Sequence, residues 1–289
     1  MKKILAILLG IISFNSTSFA YDFSILQSKI DNVKSECSGI KSSLDTIFGL
    51  SVATTVSSGI GTLTSTGALV AGLKKRTQDY KLDEETLHND IDRFIEDYNA
   101  LTEDIKNSMK KSETLGNVRS ALLAGTTVTS AVSTGTSIGT TLTASKLAEK
   151  MSNCNKSLQA LKIAKSSTES ETEDSLEPID STIIEIAKNI LSTCIGYDES
   201  NIKSLKNFAT ANAVVSGIGT GISGVGTATS IMANKTKDKE KNKKLDTASN
   251  ILSGVAIGTS GTSTTLSAIQ ISKAKKDSSI AEKCENILR

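Results

Sequence analysis

Apolar positions recur along this chain at alternating intervals of three and four, the spacing of one helix face. From Phe23 the row continues through Leu26, Ile30, Val33, Cys37, Ile40, Leu44 and Ile47. It predicts a long amphipathic helix that runs without interruption into an uncharged stretch, 47–73, where the row shifts onto Gly49, Ala53, Val56, Ile60, Leu63, Gly67 and Val70. A second such stretch, 120–145, has Val128, Val132, Ile138 and Leu142 as its larger members. A third row is Phe208, Ala211, Val215, Ile218, Ile222, Val225, Thr229 and Met232, and a fourth is Leu245, Ala248, Leu252, Val255, Thr259, Thr262, Leu266 and Ile269. Strands would show a period of two, so Thr, Val and Gly in these stretches do not make a β protein.

Between these stretches lie segments of other character. Segment 77–111 is strongly charged, with its own row at Leu87, Ile91, Phe94, Tyr98, Leu101 and Ile105. It predicts a separate solvated helix and a partner-binding head. Segment 166–178, SSTESETEDSLEP, reads as an acidic linker ending in the chain's one proline. Segment 235–244 is a charged tip, a hairpin end or a contact for anionic lipid.

The halves resemble each other. Ser58-Gly59-Ile60-Gly61-Thr62 returns as Ser216-Gly217-Ile218-Gly219-Thr220, and Thr140-Thr141-Leu142 as Thr264-Thr265-Leu266. The expected architecture is all-α: long antiparallel hairpins, coiled-coil-like with small-residue seams, arising by duplication. The first hairpin is 21–165, with the extra helix 77–111 inserted at its tip. The linker is 166–178 and the second hairpin 179–289.

The chain opens like an export signal. Lys2 and Lys3 precede the apolar run 4–14, and Ser18-Phe19-Ala20 is a small-x-small cleavage site. Residues 1–20 are therefore expected to be a signal peptide of bacterial type. The mature protein is expected in the periplasm, at the cell surface or outside the cell. Cys37, Cys154, Cys194 and Cys284 then form an even set in an oxidising compartment. Three pairings are possible. Antiparallel hairpins would join Cys37 to Cys154 and Cys194 to Cys284. If the inserted helix ran along the first hairpin, its arms would be parallel and Cys37 would not reach Cys154.

Composition narrows the function. A net charge of +2 gives no footprint for nucleic acid. Aromatics make up 3% and Trp is absent, so the core must rely on close backbone approach and not on large side chains. The one histidine, His88, has no nucleophile to serve. The Gly-Ile-Gly fragments lack the strand and the Lys-Ser/Thr of a phosphate loop. The acidic cluster 169–177 lacks the calcium-loop pattern. No catalytic group, metal or cofactor is expected, and the chain does not read as an enzyme.

Gly59, Gly61, Gly67, Gly135, Gly139, Gly217, Gly221, Val225 and Gly258 are the candidate helix-packing or membrane-contact positions. The first expectation is a non-enzymatic structural or interaction protein that binds a protein partner or itself through helix–helix packing. The alternative is a membrane-inserting or pore-forming protein that uses the four uncharged helices. Their Ser and Thr content lowers hydropathy and argues against a simple transmembrane protein.

Overall fold

The computed structural model describes residues 23–88, 98–171, 178–194 and 199–289, with side chains at 23–78, 110–170, 181–194 and 200–289. The expected signal segment 1–20 lies outside the described residues. The fold is all-α, with no strand among the described residues. Its helices are α1 Ser24–Cys37, α2 Ile40–His88, α3 Tyr98–Glu171, α4 Pro178–Cys194, α5 Glu199–Lys235 and α6 Lys239–Leu288.

Three boundaries differ from the sequence reading. The first long helix is broken: Ser38 is extended and Gly39 has φ 73°, a backbone region that only glycine enters without strain. Second, 77–111 is not one separate helix, because α2 continues to His88 and α3 already begins at Tyr98. Good helix formers at the ends of both arms prolong them. Third, α3 carries helix through 166–171, so the acidic run is not all linker. Pro178 stands at the first position of α4, where its missing N–H costs nothing. At the start of α6, Asp238 Oδ1 accepts from the Glu240 and Lys241 amides at 3.0 and 3.2 Å, an N-cap.

The chain forms two compact units. The first contains α1, 150–171 of α3, α4 and 280–288 of α6. Its core is conventional: Leu26, Ile30 and Val33 of α1, Leu158 and Leu161 of α3, Ile190 of α4 and Ala281 of α6 are buried. Two disulfides cross it, Cys37–Cys154 and Cys194–Cys284, the pairing that antiparallel hairpins require. Two disulfides suit an oxidising, exported environment.

The second unit contains α2, 98–149 of α3, α5 and α6 to residue 279. It is a four-helix bundle. Cross-helix pairs run Thr54 to Thr136 and Thr64 to Thr126 between α2 and α3, and Asn212 to Ser267 and Ser216 to Ser263 between α5 and α6. In both sets one residue number rises as the other falls, so each pair of helices is antiparallel. Large buried aliphatics gather at the ends of this bundle: Leu44, Ile47, Leu147, Ile202 and Leu205 at one, Leu123 at the other. Between them the core is of another kind.

Candidate functional site

That middle section is the part of the molecule with unusual chemistry. Each helix turns a regular row inward. In α2 it is Ser51, Thr54, Ser58, Gly61, Ser65 and Ala68; in α3, Thr126, Ser130, Ser133, Ser137, Thr140 and Ala144. In α5 it is Ala209, Asn212, Ser216, Gly219, Ser223, Gly226 and Ser230; in α6, Ser249, Ser253, Ala256, Ser260, Ser263, Ser267 and Gln270. The steps are three and four throughout, as in a coiled-coil seam, but the residues are hydroxyls, amides, Gly and Ala.

The seam is joined by side-chain hydrogen bonds. Ser58, Ser133, Ser216 and Ser263, one from each helix, form a closed ring. Oγ–Oγ distances around it are 2.8 Å for Ser58–Ser133, 3.0 Å for Ser133–Ser216, 2.9 Å for Ser216–Ser263 and 2.8 Å for Ser263–Ser58. Asn212 Oδ1 accepts a further 2.6 Å bond from Ser263. A cavity of about 10 Å³, lined by Ser130, Gly219, Thr259, Ser260 and the ring serines, lies beside it; roughly one water fits such a space. Gly61 allows close approach here. A Cβ on it would stand 3.0 Å from Thr129 Oγ1 and 3.2 Å from Ser260 Oγ.

The outer face is the reverse. Leu63 of α2 is 74% exposed, Val128 of α3 64%, Val225 of α5 55% and Ile251 of α6 62%. Val56, Ile60, Val132, Leu142, Val214 and Ile218 extend the same belt. The hydroxyls that share this face are bonded to their own helix. Thr66, Thr229, Thr262 and Thr265 donate to the carbonyls of Thr62, Val225, Gly258 and Gly261 at 2.8 to 3.1 Å. The row of larger residues expected to form the seam therefore lies toward the outer face in α2, α3 and α5, and in α6 most of it is half-buried. In α5 and α6 the true seam is the expected row displaced by one residue, from Ile218 to Gly219 and from Val255 to Ala256.

Charge bounds this section. No Asp, Glu, Lys or Arg occurs in 46–73, 120–145, 207–234 or 247–272, and each stretch is flanked by charge at both ends. At the end where α2 leaves and α6 begins, Asp246 is buried between two cations. Lys75 Nζ reaches its Oδ2 at 2.5 Å and Arg119 Nη1 its Oδ1 at 2.9 Å, while Arg119 Nη2 donates to its carbonyl at 3.0 Å. Arg119 is fully buried; desolvation lowers its pKa, and the Asp246 carboxylate opposes that shift. Arg119 Nε and both polar atoms of Asn250 are buried without a hydrogen-bond partner. Gly72 makes room for this cluster, since a Cβ there would stand 2.2 Å from Asn250 Oδ1.

The glycines picked out in the sequence divide between the two faces. Gly61, Gly67, Gly139 and Gly217 face side chains of a neighbouring helix, whereas Gly59, Gly135, Gly221 and Gly258 open onto empty space. Val225 is on the outer face. Of the expected head, Ile91 and Phe94 lie outside the described residues. Leu87, Tyr98, Leu101 and Ile105 are in helical backbone whose side chains are not described. The serine ring and the Lys75–Asp246–Arg119 cluster were not singled out from sequence; the matched Ser58 and Ser216 were the available signal for the ring. Among the described residues no three His, Cys, Asp or Glu side chains gather as a metal site. No family model, curated protein or solved structure matches this chain.

Proposed function

We propose that this is a non-enzymatic, exported protein of the bacterial envelope or its surroundings that places the bundle of the second unit in a lipid bilayer. The observation that carries this reading is the inverted polarity: aliphatic side chains outside, a hydrogen-bonded hydroxyl seam inside. Water rewards the opposite arrangement, and the first unit of the same chain has it. In hydrocarbon the outer aliphatics cost nothing, and interhelical hydroxyl bonds with close glycine contacts supply the cohesion. Each uncharged stretch is roughly 40 Å long at the helical rise, enough to cross a hydrocarbon core of about 30 Å. Back-bonded outer hydroxyls leave few polar groups for lipid to penalise.

Among the described residues, mean hydropathy alone selects two segments, with windows of 1.3 in Ser24–Gln78 and 1.2 in Ser200–Lys235. It averages both faces of each helix, and here the polar half is inside. Those two windows are only 33% and 28% buried, unlike the core helices of a water-soluble protein. The duplication belongs to the same reading. Ser58 and Ser216, which begin the repeated Ser-Gly-Ile-Gly-Thr motif, occupy the same ring.

The test is Gly221→Glu. Gly221 faces open space, so the substitution leaves helix packing alone and adds only a mid-belt carboxylate. Partition into liposomes, measured by flotation, is expected to fall by about 3 kcal/mol, roughly a hundredfold, with unchanged circular dichroism in detergent. Flotation equal to that of the unaltered protein would end the bilayer reading.

Self-association is the second reading, favoured by one observation. Gly254 and Gly258 form an outward Gly-x-x-x-Gly pair with empty space before both. Gly258→Leu should lower the oligomeric mass seen by light scattering in detergent if copies meet there.

A further inference from the structure

The four uncharged stretches end together in a region whose described side chains are mainly basic. Arg119 and Lys75 meet on Asp246. The Asn234 amide donates to Ser120 at 3.2 Å, and the Asn242 amide donates to the Ala233 carbonyl at 2.9 Å. These contacts bring the 74–78 portion of α2, the 110–119 portion of α3, the end of α5 and the start of α6 to one end of the bundle. Lys74, Arg76, Lys110, Lys111, Lys237 and Lys243 are all exposed there. Among the described side chains at that end the exposed carboxylates are Glu113, Asp238 and Glu240. Leu73, Val118 and Met232 are exposed aliphatics on the same end portions of α2, α3 and α5.

We propose that this end is a docking surface for an anionic lipid membrane. The inference rests on the bilayer reading above and deepens it by naming the lipid class and the end that recognises it. Cations on long stems beside an aliphatic belt match the layering of a bilayer, with phosphates above hydrocarbon. The sequence segment 235–244 supplies only part of the charge. The fold adds α2 and α3 cations from far along the chain, so a run of lysines becomes a two-dimensional patch. The opposite end bears lysines too, with Asp45, Glu149 and Asp277 among them, and serves as the control. Charge complementarity of this kind acts over about a Debye length and weakens with salt.

The test uses the purified, oxidised full chain, which retains the Asp- and Glu-rich sequence 79–109. Binding is measured by flotation with vesicles of pure phosphatidylcholine and with vesicles containing about one-third phosphatidylglycerol. The variant combines Arg76→Gln, Lys111→Gln, Lys237→Gln and Lys243→Gln. A control combines Lys203→Gln, Lys206→Gln and Lys276→Gln at the opposite end. The expected result is at least a roughly tenfold preference for the anionic vesicles. That preference should collapse at high salt and in the tip variant, and survive in the control. Equal binding to both vesicle types, or a preference that the tip variant retains, overturns this inference and leaves the bilayer reading standing. No binding to either vesicle removes both.

Discussion

The serine ring shows what a single seam residue holds. Ser263 bonds Ser58, Ser216 and Asn212 at 2.8, 2.9 and 2.6 Å. Ser263→Ala removes one hydroxyl and leaves those three groups short of a partner in a buried seam. The expected cost is about 1–3 kcal/mol, read as a lower unfolding midpoint in detergent. Ser→Ala at half-buried Ser278, whose hydroxyl bonds Asp45 at the bundle's end, should cost less. Equal shifts at both sites would show that the ring contributes nothing of its own. The charged cluster makes a harsher case. Asp246→Ala would leave Arg119 and Lys75 buried without their carboxylate, at a cost of about 3–5 kcal/mol. Replacing all three at once, with Arg119→Met, Lys75→Met and Asp246→Leu, should recover most of that loss. If the triple variant is as unstable as Asp246→Ala, an unpaired charge is not the cause.

At the scale of elements, the helical period could be read from sequence but its phase could not. In α1 the row Leu26, Ile30, Val33 is both the expected and the observed core, because that part buries apolar surface in the ordinary way. In α5 and α6 the same rule selected the wrong face by one residue, since it takes larger side chains to point inward. That premise holds when the solvent is water and reverses when the surroundings are apolar. The cysteine pairing was legible because matched intervals from each hairpin tip depend only on helix length. The break between α1 and α2 was missed for a local reason. Ser38-Gly39 interrupts no apolar interval, so only its backbone reveals it. Gly39→Ala tests that break: at φ 73° a Cβ is strained and would stand 3.0 Å from Lys150 Nζ. The expected loss is about 1–3 kcal/mol of stability in the first unit, measured by hydrogen exchange across α1. Unchanged exchange would mean that the turn does not depend on glycine.

Taken whole, the chain keeps two kinds of core. The first unit buries Leu, Ile and Val around two disulfides, which water favours. The second buries Ser, Thr and Asn and exposes Val, Ile and Leu, which hydrocarbon favours. Each unit should therefore respond to a different perturbation. The disulfides close loops with sequence separations of 117 and 90 residues, worth about 4–5 kcal/mol each in the chain-entropy account. Reduction should sharply lower hydrogen-exchange protection in α1 and α4. With the protein bound to liposomes, the 120–145 and 207–234 stretches should stay protected, because their backbone bonds lie within helices and the lipid, not the disulfides, favours their outer face. Without lipid or detergent the order should reverse, with the hydroxyl seam exchanging sooner than the oxidised first unit. If reduction strips protection equally from both units in liposomes, then the disulfides and not the surrounding solvent hold the bundle, and the division into two solvent regimes fails.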